Sequence, residues 1–452
     1  MFERFPTFTQ TFCVREILEL ERQGIRPLIF SIRDTRDEPA QSYPEELRDR
    51  VHYLPPRDEL VATVKQLRSD KLLSKAADRT LRYWRDQPDK LRVYEAAYIA
   101  QKIREIAPNL THAHCHFGGK AARTLWWLRH FQRMSYSFTA HANDVFCAET
   151  NTEVTMDRLM RDASRVVTVS DYTVRRLSNE YPSVRTKIQR VYNGLELEKW
   201  VQASQGAPKG IGSRRIYSVG RLIEKKGFDD LILASARLRD QKVDHTCHII
   251  GGGPLEDDLR RQIQENGLED TVFLEGEKDQ AGIIHALANE AHLFALPCVT
   301  EADGGMDNLP TVIMEAMAVG LPCVSTRLAG VPEMVLENQT GLLVEERRPE
   351  EFASQLKILL EDESLCEKFG REGFRLAANR FDKAVTAGNL KRSLISGGMV
   401  RFDPELVHEN PALAFGYACQ LPLRAGRLLG LGRGFYPKTL LIDEPEKSQI
   451  TA

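Results

Sequence analysis

The 452-residue chain has no apolar run approaching the ~20 residues that span a bilayer, and its opening lacks the basic-then-apolar order of a secretory signal. Charge of one sign is missing as well. With 62 Lys and Arg against 64 Asp and Glu, the formal net charge is −2, so no global basic field argues for nucleic acid. The eight cysteines (13, 115, 147, 247, 298, 323, 366 and 419) form no CxxC pair. Several, such as Cys247, Cys298 and Cys323, sit in apolar strand-like runs, which reads as reduced core thiols rather than disulfides or metal ligands. A G-x-G-x-x-G dinucleotide fingerprint is absent too. What remains is the expectation of a cytosolic globular protein, for which 42% hydrophobic and 28% charged residues are ordinary values.

Short apolar runs alternate with helical periods almost from end to end, the pattern of an α/β protein with parallel sheets. In the first half, strands are expected at Pro27–Ile32, Thr111–Phe117, Ser135–Ala140, Arg165–Val169 and Lys187–Val191. In the second, they are expected at Arg215–Val219, Thr246–Ile250, Thr271–Leu274, His292–Leu296 and Pro322–Ser325, with a Gly-Leu-Leu-Val strand ending at Val344. Between the halves, a stretch rich in Gly, Ser, Pro and Gln marks a linker. The expected organisation is an N-terminal domain over 1–200, a linker over 201–213, a C-terminal domain over 214–397 and an extension over 398–452. Two doubly wound sheets so joined face each other across a cleft, and ligands bind at the carboxyl ends of their strands.

The two ends differ from this pattern. The opening Met-Phe-Glu-Arg-Phe-Pro leaves almost no room for a first strand, so either the sheet begins elsewhere or the start lies upstream. In the tail, Leu421 to Tyr436 interleaves Arg and Leu with glycines, so it is a candidate for skimming a membrane surface or for packing on the body.

The richest segment runs from Gly304 to Gly320. Asp307 precedes an expected helix over Asn308–Val319, and Glu315 lies inside it on a mostly apolar element, where a charge needs a polar partner. Pro310 suits the first turn and Gly320 the C-terminal cap, while the helix start offers N–H groups to a phosphate. Gly220-Arg221-Leu-Ile-Glu-Lys-Lys226-Gly227 joins a strand to a helix and brings a planar guanidinium and a compact ammonium to one strand end. Basic residues at such turns are often only solvated; a leaving diphosphate is what two converging cations would stabilise. Gly251-Gly-Gly-Pro254 is either a tight structural loop or a nucleotide contact, with Gly252 as the contact candidate. His141 ends a strand, and His112, His114 and His116 share one strand face, which suggests a metal or, more ordinarily, core and loop-fixing histidines.

Taken together, these segments resemble glycosyltransferase family 4, of the GT-B fold, over about residues 3 to 395. The resemblance rests on Val219-Gly-Arg-Leu with Lys226-Gly, Ile250-Gly-Gly-Gly-Pro, the acid-x7-Glu segment and Gly330-Val-Pro-Glu333 with Thr340-Gly-Leu-Leu-Val. In the first half it rests on Arg4-Phe-Pro-Thr-Phe-Thr-Gln-Thr-Phe12, His112-Ala-His114, Phe138-Thr-Ala-His141 and Tyr192-Asn-Gly194, which look most like the branch that builds colanic acid, other exopolysaccharides and lipopolysaccharide. The resemblance implies transfer of a sugar from a nucleoside diphosphate donor to a glycan or lipid-linked acceptor, with retention and without a metal or other cofactor. Carried over, Arg221 and Lys226 bind the diphosphate, Glu315 holds the ribose hydroxyls, and Asp307, standing where Glu is usual, contacts the donor sugar beside His141. Gly220, Gly252 and the backbone of Met306, Asn308 and Leu309 complete the donor contacts. Two other readings stay open: a non-catalytic scaffold of the same fold, or an enzyme of this fold with another reaction, such as a nucleotide-sugar epimerase or phosphorylase. The protein is expected in the cytoplasm, at the inner face of the membrane if the tail binds there.

Overall fold

The computed structural model describes the chain apart from residues 8–9, 38–42, 85–86, 88, 147–151, 205–209 and 397–452. Its first half carries strands β1 (Phe2–Arg4), β2 (Ile29–Arg33) and β3 (Val51–Tyr53), then β4 (His112–His116), β5 (Ser135–Ala140), β6 (Arg165–Thr168) and β7 (Ile188–Arg190). The second carries β8 (Arg215–Val219), β9 (Thr246–Ile250), β10 (Val272–Gly276), β11 (Leu293–Leu296), β12 (Cys323–Thr326) and β13 (Gly341–Val344). Every pairing between these strands is parallel. Burial on both faces is what makes such strands apolar runs; β11, β12 and β13 are buried at every residue.

The helices of the first half are α1 (Thr11–Arg22), α2 (Glu45–Asp49), α3 (Arg57–Ser69), α4 (Lys75–Tyr83), α5 (Lys90–Ile106), α6 (Lys120–Gln132), α7 (Ala142–Phe146), α8 (Met156–Asp162), α9 (Asp171–Glu180) and α10 (Leu197–Ser204). Those of the second are α11 (Phe228–Asp240), α12 (Glu256–Glu265), α13 (Gln280–His285), α14 (Thr311–Ala318), α15 (Pro349–Glu361), α16 (Glu363–Arg380) and α17 (Lys383–Ser396). α10 runs into the stretch read as linker. The rest of that stretch at 205–209 and the tail, with its Arg- and Leu-rich segment, lie outside the described residues.

The six strands of the second half are ordered β10-β9-β8-β11-β12-β13. Chain direction away from the centre therefore reverses between β8 and β11, and the loops leaving those two strands open a crevice at their carboxyl ends. The first half has β1-β2-β3 and β4-β5-β6-β7 as two hydrogen-bonded sets. The Phe2 ring stacks on His116 with centroids 5.5 Å apart, and the Met1 amino group donates to the His114 carbonyl, which sets β1 beside β4. Each half is Rossmann-like, with its own switch point.

One expectation is corrected here. A first strand is present, compressed to Phe2–Arg4 and paired through Phe2 with Ser31 and Arg4 with Arg33. Its brevity hides it from a periodicity argument, since three residues give no alternation to count. The halves are tied at the C-terminal end of the second. Leu195 N–H donates to the Phe381 carbonyl and Lys383 N–H to that of Leu195, and Ser393 on α17 donates to Gln189 on β7 at 2.7 Å.

Candidate functional site

β8 is buried from Ile216 to Val219 and ends at Gly220, after which the chain makes a short 3-10 turn over Glu224–Lys226. Gly227 closes the turn at φ +65°, and a Cβ there would fall 1.9 Å from the Pro297 carbonyl oxygen. Only glycine lets the loop after β8 pass so close to the loop after β11. The two loops are also joined by Val299 N–H donating to the Lys225 carbonyl at 3.1 Å.

This contact delivers the charged groups. Lys226 Nζ lies 2.5 Å from Asp307 Oδ2, and Lys225 Nζ lies 3.5 Å from Asp307 Oδ1. Burial would raise the Asp307 carboxyl, but the two ammonium groups outweigh it and hold the group below the usual carboxylate range. Burial would likewise lower Lys226; the Asp307 carboxylate reverses that and keeps the ammonium firmly charged. Two cations on one carboxylate leave an excess positive charge at the switch point.

Asp307 opens the approach to α14, which starts with no side-chain cap at Pro310. Pro310 sits one residue before the helix rather than inside its first turn, because the helix begins at Thr311. At the other end Gly320 N–H donates to Met317 and Leu321 N–H to Ala316, the paired bonds of a Schellman stop, with Gly320 at φ +81°. Ile313, Met314, Ala316 and Met317 are buried, while Glu315 is half-buried and its carboxylate makes no hydrogen bond or ion pair among the described residues. Burial pushes its carboxyl up to about 7, opposed by Arg15 and then Lys226.

Arg15, which sequence reading passes over, reaches this place from α1. Its Nη1 donates to the Gly194 carbonyl at 3.1 Å and its Nη2 to Thr11 Oγ1 at 3.0 Å. Its charge sign alone does not distinguish it from the other arginines of the sequence; only the fold brings it to Glu315.

The other expected residues fall in three places. Arg221 is exposed, and its side chain makes no hydrogen bond or ion pair among the described residues, so none joins it to Lys226. Gly220 lies beneath the Lys226 stem, at 3.2 Å from a built Cβ to Cε. Gly251–Gly253 pack on the backbone of Gly220–Leu222, since a Cβ on Gly251 would strike the Gly220 oxygen at 1.9 Å. Gly252 instead abuts the Glu277 carboxylate, and its carbonyl accepts from Leu222 N–H. Such packing is what a tight loop asks of this glycine run. Met306 and Leu309 are buried, and the Asn308 side chain accepts from Ser170 of the first half at 2.6 Å.

A second junction of the halves is built on Glu333, at the end of the Gly330-Val-Pro-Glu333 motif. The Glu333 carboxylate accepts from the N–H groups of Asp171 and Tyr172, each at 2.9 Å, and from the Tyr192 hydroxyl at 3.0 Å. An acid from the second half thus sits at the N-terminus of α9 in the first.

His141 is 7% exposed and packed against the rings of Phe12 and Phe117. Its Nε2 lies 3.1 Å from His116 Nδ1, and His116 Nε2 lies 2.9 Å from Glu16 Oε1. With the carboxylate accepting from His116, the line runs His141 N–H to His116 to Glu16. Burial, with His116 as a lesser cause, holds His141 well below its usual value and therefore neutral. Glu16, His114 and His116 bring ligand atoms within 4.8 Å of one another. The ring nitrogens are already engaged: His112 with Ser135 and Ser137, His114 with Ser137 and Thr139. Hydrogen-bonded, structural histidines fit this arrangement better than metal ligands. Nearby, a cavity of about 420 Å3 is bounded by Gly118, Gly119 and Asp144 of the first half and by Glu301 and Asp303 from the loop after β11.

Comparison with known proteins agrees in both halves. A family described as Glycosyltransferase Family 4 matches residues 9–199, and one described as Glycosyl transferases group 1 matches residues 204–375. The chain is 29% identical over 371 residues to the amylovoran biosynthesis glycosyltransferase AmsK of Erwinia amylovora, covering 80% of this chain and 90% of that one. It is 37% identical over 199 residues to WcaL of Escherichia coli, named for colanic acid biosynthesis, covering 44% of this chain and 48% of that one. The match thus spans about half the length of that relative. Among solved structures, HepE of Anabaena in complex with UDP superposes with a TM-score of 0.62 at 18% identity, covering 87% of this chain and 98% of that one. The lipopolysaccharide outer core galactosyltransferase WaaB does so with a TM-score of 0.61 at 15% identity, covering 86% and 96%. Both likenesses are of fold, and the fold is GT-B.

Proposed function

The chain belongs to the family 4 glycosyltransferases, and from that premise we propose that it moves a sugar from a nucleoside diphosphate donor to a glycan or lipid-linked acceptor in the building of a cell-surface polysaccharide. The observation that carries this reading is the pairing of Lys226 and Lys225 with Asp307 where β8 and β11 diverge. The cluster lies at a sheet switch point, the place where a nucleotide enters such folds. Its cations exceed its one carboxylate, so a diphosphate can be received there without removing Asp307. The crystal structure of HepE with UDP, and the amylovoran biosynthesis in the name of AmsK, support the donor and pathway class.

In this reading Lys226 and Arg221 bind the diphosphate, with Lys225 as a neighbour, and stabilise the charge that grows on the leaving oxygen. Arg221, exposed and unpaired here, is available to turn onto the donor. Asp307 meets the donor sugar hydroxyls through the face its lysines leave open. Glu315, poised near neutrality beside Arg15, takes the ribose hydroxyls. His141 is a neutral ring held in one tautomer, suited to a hydrogen bond with the sugar rather than to general-acid chemistry. Transfer proceeds with retention by a front-face route: the bond from the anomeric carbon to the phosphate oxygen breaks, the acceptor oxygen bonds to the same face, and its proton passes to the leaving phosphate. Positioning and electrostatics supply the rate, and no metal is needed once lysine and arginine carry the phosphate charge. The protein works in the cytoplasm, reaching a membrane-borne acceptor from its inner face.

The test is a thermal-shift screen against UDP, GDP, ADP and their sugar conjugates, followed by product analysis by NMR. A ligand specific to the folded state adds about 2.7 kcal/mol at a hundredfold excess over Kd. Arg221→Ala should lower kcat by roughly 10²–10³-fold, the effect of losing one preorganised donor. A folded chain that binds no nucleotide would refute the transferase reading, and an inverted product would refute retention.

A further inference from the structure

β13 is the edge strand of the second sheet, separated from β11 by β12 and from β8 by two strands. Four residues, Glu345 to Arg348, lead from it into α15. Two of them reach back to the centre of the sheet. The Glu346 carboxylate accepts from the Thr300 N–H at 2.6 Å and from the Thr300 hydroxyl at 3.1 Å. The Arg347 guanidinium pairs with Asp229 at 2.5 Å, Asp230 at 3.5 Å and Glu224 at 3.6 Å.

These partners belong to the two loops that bring Lys226 and Asp307 together. Thr300 follows Val299, whose N–H donates to the Lys225 carbonyl. It precedes a closed turn in which Glu301 N–H donates to the Gly305 carbonyl at 2.7 Å and Gly304 N–H to that of Glu301 at 2.9 Å. Asp307 leaves that turn two residues later. On the other side, Glu224 opens the 3-10 turn that carries Lys225 and Lys226, and Asp229 and Asp230 lie in the first turn of α11 behind it. Arg347 therefore bridges both ends of the segment that presents the lysines, while Glu346 holds the base of the segment that presents Asp307.

Stability alone explains little of this arrangement. Arg347 is 41% exposed, and Asp229 and Glu224 are 45% and 50% exposed, where ion pairs contribute little. Yet the Arg347 backbone is held at φ +59°, in the left-handed region that favours glycine. A large side chain kept in such a conformation points to a task for the side chain. Asp230, the third partner, is 8% exposed and has Arg347 as its one paired cation among the described residues, so the start of α11 is fixed to that guanidinium.

We propose that Glu346 and Arg347 are positioning residues for the donor: from the edge of the sheet they hold the loops after β11 and β8 at the spacing where Lys225, Lys226 and Asp307 receive a diphosphate. The proposal rests on the transferase reading. The full chain is titrated calorimetrically with UDP, GDP and ADP, and the nucleoside matching whichever binds is measured by competition. Glu346→Ala and Arg347→Gly should each weaken that diphosphate roughly tenfold, equivalent to about 1.4 kcal/mol, and leave the nucleoside unchanged. Arg347→Gly should melt no lower than the parent, because glycine adopts the same φ freely. Glu346→Gln should recover most of the loss, since its carbonyl can take the Thr300 N–H and its amide can donate to the Thr300 hydroxyl. In a Lys226→Met background Glu346→Ala should add less than about twofold, because the two act through one contact.

Equal weakening of diphosphate and nucleoside, or none of either, overturns the proposal and leaves the transferase reading intact. So does a full tenfold addition in the Lys226→Met background, or a Glu346→Gln as weak as Glu346→Ala. If Glu346→Ala does not fold, Arg347→Gly, at an exposed position, decides by the same ratio of diphosphate to nucleoside. A folded parent chain that binds no nucleotide removes the transferase reading and the proposal together.

Discussion

Lys226 and Asp307, 81 residues apart in sequence, meet at 2.5 Å because they leave two strands, β8 and β11, that pair directly at the centre of one sheet. Each is mostly withdrawn from solvent, with side-chain exposures of 13% and 15%. Truncating one partner strands the other in a poor dielectric, so Lys226→Met and Asp307→Asn should each cost about 1–3 kcal/mol, below the figure for a fully buried pair. The double variant should cost less than the sum of the two, with a coupling of roughly 1 kcal/mol or more in urea unfolding. Strict additivity would mean that the pair is geometric only. Lys226→Met should also lose affinity for a nucleoside diphosphate while sparing the free nucleoside.

Glu16, His116 and His141 form a line whose protonation pattern is set from the carboxylate end. Glu16→Gln can donate as well as accept, which frees His116 to adopt either tautomer and His141 to turn. The expected result is a kcat roughly tenfold lower with the donor KM nearly unchanged, since misplacing a positioning group by about 1 Å costs up to about 10²-fold. A variant with parental kcat and an unchanged pH profile would show the line to be packing alone.

The regular elements were legible because period and composition agree there. β5, β8 and β9 fall on the expected residues, each an apolar run bounded by a turn. β1 was hidden by its three-residue length, and α14 starts later than expected because the loop from Asp307 to Pro310 is held in the fold. At the site, Lys226 and Asp307 were readable from motif and position. Arg15 and Glu16 were not, for they act on partners about 100 or more residues away through contacts that only tertiary folding creates. The glycine run at 251–253 shows the same limit from the other side: its constraint is the backbone of Gly220–Leu222, a neighbour that the sequence does not place.

Glu333 should matter to stability more than its place in a loop suggests. It accepts two N–H groups at the start of α9 and the Tyr192 hydroxyl, all from the other half of the protein. Glu333→Ala removes a helix cap and a junction together, and should cost about 1–3 kcal/mol, a cap alone contributing ~1. Hydrogen exchange should speed up at Asp171 and Tyr172 first. Protection unchanged at those two amides would show that the helix start is held by Ser170, whose hydroxyl accepts from Thr173 N–H, instead.

Glu315 gives a dependence on pH whose sign can be worked out. Its folded pKa of about 7 lies above its ordinary value of 4.5, so between those values the folded state holds more proton than the unfolded one. Stability then falls as pH rises through that window, and the full penalty is present above it. Glu95, also raised to about 7, contributes in the same direction. Glu315→Gln removes only its own share, so the variant should match the parent near pH 4.5 and exceed it by about 1 kcal/mol at pH 8. The same change should weaken the donor roughly tenfold at pH 8, because a charged acceptor of ribose hydroxyls is worth ~1.5–3 kcal/mol and the amide recovers part of that. Gain and loss in one variant would mark Glu315 as a group kept at a cost in stability for its ligand. A variant less stable than the parent at pH 8 would instead mean that the carboxylate is satisfied in the folded protein, and the ribose role would lose its physical basis.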